Sequence, residues 1–172
     1  MIQDLVRLLK RLDIVYMEPN SLPIKLKHGD ISKFYVDVKK AYGSQEALNL
    51  LADCMYEIID KRATCVAGEG YGGVPLATAI ASRHGLKLTL VRDKPKQHGR
   101  ISRLDGYIPV KGVDKVIIVD DVCTTGGSLK RVNEIITENS GAEILEYGFV
   151  VLREKVELGL TLKYLIVPKD LM

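Results

Sequence analysis

From Thr64 onward the hydrophobic pattern switches repeatedly between short apolar runs and the three-to-four spacing of amphipathic helices. Runs at Cys65–Ala67, Leu86–Val91, Val116–Val119, Ile144–Leu152 and Leu162–Val167 predict strands. Helical spacing over about Gly73–His84, and again over Ser128–Asn139 (Leu129, Val132, Ile135, Ile136), predicts the crossovers between them. Val116, Ile117, Ile118 and Val119 are four consecutive β-branched residues, as expected of a strand buried on both faces. This alternation predicts an α/β fold with a central, mainly parallel sheet flanked by helices.

Ahead of Thr64 the pattern differs. Ile2, Leu5, Val6, Leu9 and Leu12 recur at helical spacing among charges, Ile24–Lys40 reads as two short strands around the turn His28-Gly29-Asp30, and a long amphipathic helix spans about Gln45–Lys61. These elements form an appendage before the core. Between Asp93 and Tyr107 hydrophobic residues are scarce and positive charge accumulates, which describes a solvated, mobile loop.

Composition narrows the class. With 172 residues and 47% of them hydrophobic, the chain suits a single domain with a substantial core. A net charge of only +3 argues against a dedicated nucleic-acid or membrane binder. No apolar run reaches transmembrane length, and the charged N-terminal helix is unlike a signal peptide. Cys54, Cys65 and Cys123 lack C-x-x-C spacing and read as reduced thiols of a cytoplasmic protein. No His/Cys cluster suggests zinc.

Chemistry concentrates in the stretch VIIVDDVCTTGGSL, Val116 to Leu129. Asp120 and Asp121 follow the apolar run at its carboxyl end, where open α/β sheets bind ligands. Thr124, Thr125, Gly126, Gly127 and Ser128 then open a helix whose free N–H groups and positive dipole end favour an anion, most simply a phosphate. Two carboxylates beside a phosphate cradle would repel the phosphate, so their partner is electroneutral, and a ribose diol fits. A ribose phosphate is the expected ligand. A second Gly-rich turn, Gly68-Glu69-Gly70-Tyr71-Gly72-Gly73, joins another strand to its helix at the same edge and suits a further anion.

VIIVDDVCTTGGS resembles the 5-phosphoribosyl 1-pyrophosphate (PRPP) motif of the type I phosphoribosyltransferases. RDKPKQHG, Arg92 to Gly99, is similar to the catalytic loop of the orotate phosphoribosyltransferases, Arg-Lys-x-x-Lys-x-His-Gly, with Asp93 in place of the second basic residue. The stretch Leu26–Asp37 resembles that family's N-terminal segment, and Arg153, after Val150-Val151-Leu152, matches an arginine that binds the orotate carboxylate. Leu152 replaces the aspartate usual beside it, and Gly72 stands where some members carry a lysine.

The resemblance implies one domain over residues 1–172, with a small N-terminal hood over 1–42, a core over 43–172 and a mobile loop over 93–107. It also implies Mg²⁺-dependent transfer of the phosphoribosyl group from PRPP to orotate, giving orotidine 5′-monophosphate and pyrophosphate. In that scheme Lys96, Arg92 and His98 serve the leaving pyrophosphate, and Asp120 and Asp121 hold the ribose. PRPP further meets Lys27, Tyr71, Gly72, Val122, Cys123 and Thr124 through Ser128. Orotate meets Lys27, Tyr35, Val36, Thr124 and Arg153, and no side chain is expected to ligate the metal directly. A homodimer is implied, with loop 93–107 reaching the partner's site, as are a place in pyrimidine biosynthesis and no nucleic-acid or membrane partner. Two alternatives share the fold: a purine-type phosphoribosyltransferase, and a non-catalytic PRPP-sensing regulator. Arg153 opposes the first, and the retained Lys96 and His98 oppose the second.

Overall fold

A computed structural model describes residues 1–17, 24–25, 31–32, 34–95, 102–154 and 156–171. The N-terminal part comprises α1 (Ile2–Arg11), β1 (Val15–Met17), β2 (Ile24–Lys25), β3 (Ile31–Ser32), β4 (Phe34–Val36), the single turn α2 (Lys39–Tyr42) and α3 (Gln45–Ile58). The expected hairpin is present as the antiparallel pair β2–β3, while its turn, His28-Gly29-Asp30, lies outside the described residues. A second antiparallel pair, β1–β4, is not evident from the sequence, since three-residue strands carry too little alternation to read. Ser44 caps α3 by accepting the Ala47 N–H at 3.3 Å, and the helix ends at Ile58 rather than continuing to Lys61.

The core follows as β5 (Cys65–Glu69), α4 (Gly70–His84), β6 (Lys87–Val91), β7 (Leu104–Gly106), β8 (Lys115–Cys123), α5 (Gly127–Ser140), β9 (Glu143–Leu152), β10 (Thr161–Ile166) and the short α6 (Pro168–Leu171). Six strands form one sheet in the order β10-β9-β8-β5-β6-β7, parallel throughout except for β7. β7 corrects the reading of Asp93–Tyr107 as loop. Leu104, Asp105 and Gly106 pair with Val91, Leu90 and Thr89, so the far end of that segment is an edge strand.

Burial explains the uninterrupted apolar run of β8. Ile117 and Val119 pack into one hydrophobic cluster with α1, α3 and α4, whereas Val116 and Ile118 pack into a second with α5. The strand is therefore covered on both faces, with Val116 through Val119 at most 1% exposed.

Strand order also locates the functional edge. β5 passes through α4 to β6 on one side, and β8 passes through α5 to β9 on the other, so β5 and β8 flank the point at which the winding reverses. Pairing between them stops at Ala67 and Ile118, while β8 stays paired to β9 as far as Cys123 and Leu152. The gap that opens between β5 and β8 is the crevice in which such sheets bind ligands.

At the opposite end of the sheet a buried carboxylate ties several segments together. Asp114 accepts from Thr64 Oγ1 at 2.9 Å and Lys87 Nζ at 2.8 Å on one oxygen, and from Tyr107 Oη at 2.7 Å and the Val110 N–H at 2.9 Å on the other.

Candidate active site

A cavity of about 610 Å³ lies in that crevice. Its floor is the end of β8, its far wall is the turn into α5, and its near wall is the turn from β5 into α4. Asp120 and Asp121 sit within β8 rather than after it, because β9 keeps the strand extended past the point where β5 departs.

The two acids are held differently. Asp120 accepts the Asp121 N–H at 2.9 Å and the Ser128 hydroxyl at 3.3 Å. Burial, and then the negative charge of Asp121, pushes its carboxyl well above the ordinary carboxylate range. Asp121 accepts the Val122 N–H on Oδ1 at 2.8 Å and the Lys39 ammonium on Oδ2 at 3.2 Å. Lys39 also stands 3.2 Å from Asp37 Oδ1, a charge contact rather than an aligned hydrogen bond. Burial works against the Lys39 charge, yet Asp121 and then Asp37 outweigh it and raise its pKa.

Thr124, Thr125, Gly127 and Ser128 line the cavity at the start of α5. Gly126 takes the N-cap position with φ 75°, a left-handed conformation that favours glycine, and a Cβ there would also press on the Leu158 side chain. On the facing wall α4 begins at Gly70, three residues earlier than its periodicity implies, so Tyr71 and Gly72 occupy its first turn. A Cβ on Gly72 would lie 2.4 Å from Asp121 Oδ1 and 2.6 Å from Asp120 Oδ1. A side chain at position 72 would displace the acids, a physical reason for glycine there.

Tyr35 and Val36 of β4 and Arg153 after β9 close a third side, with Glu154 beside them. The Arg153 N–H donates to the Cys123 carbonyl at 2.9 Å, fixing where the arginine leaves the sheet.

The structure thus gathers Tyr35, Val36, Tyr71, Gly72, Asp120, Asp121, Val122, Thr124, Thr125, Gly127, Ser128 and Arg153 around one cavity. Cys123 is placed elsewhere: its side chain is 2% exposed in the α5-side core, where burial raises the thiol to about 11. Arg92 is not on the cavity wall, and its guanidinium pairs with Asp105 of β7. Lys27, Lys96 and His98 lie outside the described residues.

Four further charged groups stand on the wall, with no role assigned to them from the sequence: Lys39, Glu69, Arg131 and Glu154. Arg131 of α5 pairs with Glu69 and approaches Asp93, at the root of the basic loop, to 3.8 Å. No local signal marks these pairs. Lys39 and Asp121 are 82 positions apart, and Arg131 and Glu69 are 62 apart.

A doubly covered parallel sheet, with two anion-suited turns and an acid pair meeting at its switch point, defines a protein that handles a phosphorylated sugar. Comparison with known proteins agrees. The phosphoribosyl transferase domain family matches residues 38–160. An orotate phosphoribosyltransferase of Thermococcus kodakarensis is 43% identical over 147 residues, covering 83% of this chain and 78% of that one. The orotate phosphoribosyltransferase structure from Aeropyrum pernix superposes with a TM-score of 0.80 at 26% identity, covering 97% of this chain and 95% of that one. That of Mycobacterium tuberculosis in complex with PRPP superposes at 0.73 and 25% identity, covering 99% and 91%. The chain belongs to the phosphoribosyltransferase family, in its orotate phosphoribosyltransferase branch.

Proposed function

We propose that this protein transfers the 5-phosphoribosyl group of PRPP to orotate, forming orotidine 5′-monophosphate and pyrophosphate. The observation that carries this reading is the convergence, on one cavity, of the acid pair, the Thr124–Ser128 turn and Arg153. Thr124–Ser128 hold the 5′-phosphate with hydroxyls and the N-terminal N–H groups of α5. Asp120 and Asp121 accept from the ribose hydroxyls. Arg153 receives the orotate carboxylate, while Tyr35 and Val36 border the flat ring.

As the bond from C1 to the pyrophosphate oxygen breaks, its electron pair leaves with pyrophosphate and C1 gains oxocarbenium character. The acid pair offsets that positive charge. The orotate ring nitrogen then bonds to C1 and gives up its proton, which the departing pyrophosphate takes up, with His98 in this scheme sharing or relaying it. Lys96, Arg92 and His98 belong to the leaving-group side in this scheme, Lys27 meets either substrate, and the backbone at Tyr71 and Gly72 faces the pyrophosphate.

Asp120 and Asp121 are hard oxygen donors that suit Mg²⁺ through its water shell. Among the described residues no set of three or more acidic, His or Cys side chains gathers at one point, so the ion would be held chiefly by PRPP's own oxygens. When bound, Mg²⁺ supplies positive charge to the departing pyrophosphate. Among the described residues no helix is long and apolar enough to cross a membrane. We place the protein in the reducing cytoplasm, consistent with its free thiols, as a homodimer in which loop 93–107 reaches the partner's cavity.

The test is the ultraviolet absorbance of orotate with PRPP and Mg²⁺, with hypoxanthine and adenine followed by product chromatography. Mg²⁺-dependent loss of orotate is expected. Turnover of a purine in its place, or PRPP binding with no turnover of any base, would sink the assignment. Gly72→Ala serves as a steric probe of the same site. Its Cβ must push the acids aside, so kcat/KM for PRPP should fall roughly tenfold while Tm changes little. Unchanged kinetics would show that the acids can move without consequence.

A further inference from the structure

Lys39 stands on the cavity wall with its ammonium on Asp121, one of the two acids of the sugar site. It is the first residue of α2, a single turn anchored by the fully buried Val38 and Ala41. From there its ammonium reaches Asp121 Oδ2 and Asp37 Oδ1, each at 3.2 Å, and comes within 3.5 Å of the Tyr35 hydroxyl. The same turn carries Tyr42, whose hydroxyl donates to the Gly72 carbonyl at 2.8 Å. α2 therefore braces both the acid pair and the glycine turn opposite it.

We propose that Lys39 is a positioning residue for the ribose subsite: it fixes the carboxylate of Asp121 beside Asp120, so that the pair presents two oriented acceptors to the sugar diol. This role rests on reading the cavity as a PRPP site.

The geometry requires such a group. Adjacent carboxylates repel, and Asp120 is already committed to the Asp121 N–H and Ser128. Asp121 has one fixed donor, the Val122 N–H on Oδ1, which leaves rotation about that contact open. Lys39 on Oδ2 closes it. At 14% exposure, Asp121 is shielded enough for this pair to outweigh an ordinary surface ion pair. Lys39 is itself 38% exposed toward the cavity, so its substitution removes charge without opening the core.

The experiment compares wild type, Lys39→Met and Lys39→Arg by calorimetric titration with PRPP and Mg²⁺ in the absence of any base, and by steady-state kinetics with PRPP and orotate varied separately. Lys39→Met should weaken PRPP binding about tenfold or more, with the KM for orotate within about twofold of wild type. Lys39→Arg should recover most of the loss. A purely structural lysine would leave the PRPP-to-orotate selectivity of the effect flat, whatever its effect on Tm. PRPP binding by Lys39→Met within about twofold of wild type overturns the role, as does Lys39→Arg remaining as weak as Lys39→Met. Because the titration contains no base, a wild type that binds PRPP without consuming orotate fails the orotate assignment, and the variants' PRPP affinities still decide the role of Lys39. A wild type that does not bind PRPP overturns both.

Discussion

Asp121→Asn should lower kcat/KM for PRPP by between about a hundredfold and a thousandfold, the range typical for removing a group aimed at developing charge. The amide keeps the shape of the carboxylate and loses its chemistry. Both oxygens of Asp121 face donors, the Val122 N–H on one side and the Lys39 ammonium on the other. An asparagine can satisfy one of them and must turn its NH₂ toward the other. The negative charge that would offset the oxocarbenium at C1 is lost as well.

Stability should change far less than activity. After burial, Asp121 is the second cause of the raised Asp120 pKa, so its neutralisation relieves a repulsion that offsets the lost contact with Lys39, and Tm should stay near wild type. Asp120 also has a pH signature of definite sign. Its folded pKa lies above the unfolded value near 3.8, so the folded state binds the extra proton and stability falls as pH rises through that window. The variant should show a shallower fall. Kinetics with PRPP varied, together with thermal melts at several pH values, checks both, and activity within about fivefold of wild type would remove Asp121 from the chemistry.

Asp114→Ala should be the most damaging substitution for the fold away from the cavity, costing about 3 kcal/mol or more of unfolding free energy. Its carboxylate is fully shielded from solvent and takes four donors, from Thr64, Lys87, Tyr107 and the Val110 backbone. Alanine would strand the Val110 N–H and the Tyr107 hydroxyl and leave Lys87 without its counter-charge. Burial opposes ionisation of Asp114, but these donors, led by Lys87, more than offset it and hold the carboxyl well below its ordinary value. Its stabilisation is therefore complete above the unfolded carboxylate pKa and disappears as pH falls toward the folded value. Urea melts at pH 7 and at pH 3 separate the two contributions: the gap between wild type and variant should narrow at the lower pH. An equal gap at both would mean that packing, not charge, makes the residue necessary.

The parts of this molecule that can be read along the chain are those whose signal is contiguous. Val116–Val119 announce a doubly buried strand because four β-branched residues in a row leave no polar face. Leu129, Val132, Ile135 and Ile136 announce α5 because one stripe of a helix must be apolar, and all four are buried. The Asp-Asp pair and the Thr-Thr-Gly-Gly-Ser turn are legible as chemistry because the carboxylates, hydroxyls and φ-permissive glycines occur side by side.

β7 escapes such reading because Leu104-Asp105-Gly106 is too short to alternate and sits in a charged stretch; its pairing with β6 makes it a strand. The early start of α4 escapes it because Gly70–Gly73 carry no helical pattern, and the helix there is set by close packing of that turn against β8.

Fold class, the order of chemistry along the chain and the phosphate turn are thus properties of local sequence, since hydrophobic period and backbone freedom act over a few residues. That Lys39 meets Asp121, that Arg131 bridges Glu69 and approaches Asp93, and that Asp114 collects donors from Thr64 and Lys87 as well as from its own loop follow from strand register and the packing of α2 and α5 against the sheet. Such long-range contacts join residues tens of positions apart. Charged side chains leave no periodic trace of which distant partner they will face, so these pairings exist only once the chain has closed around its core.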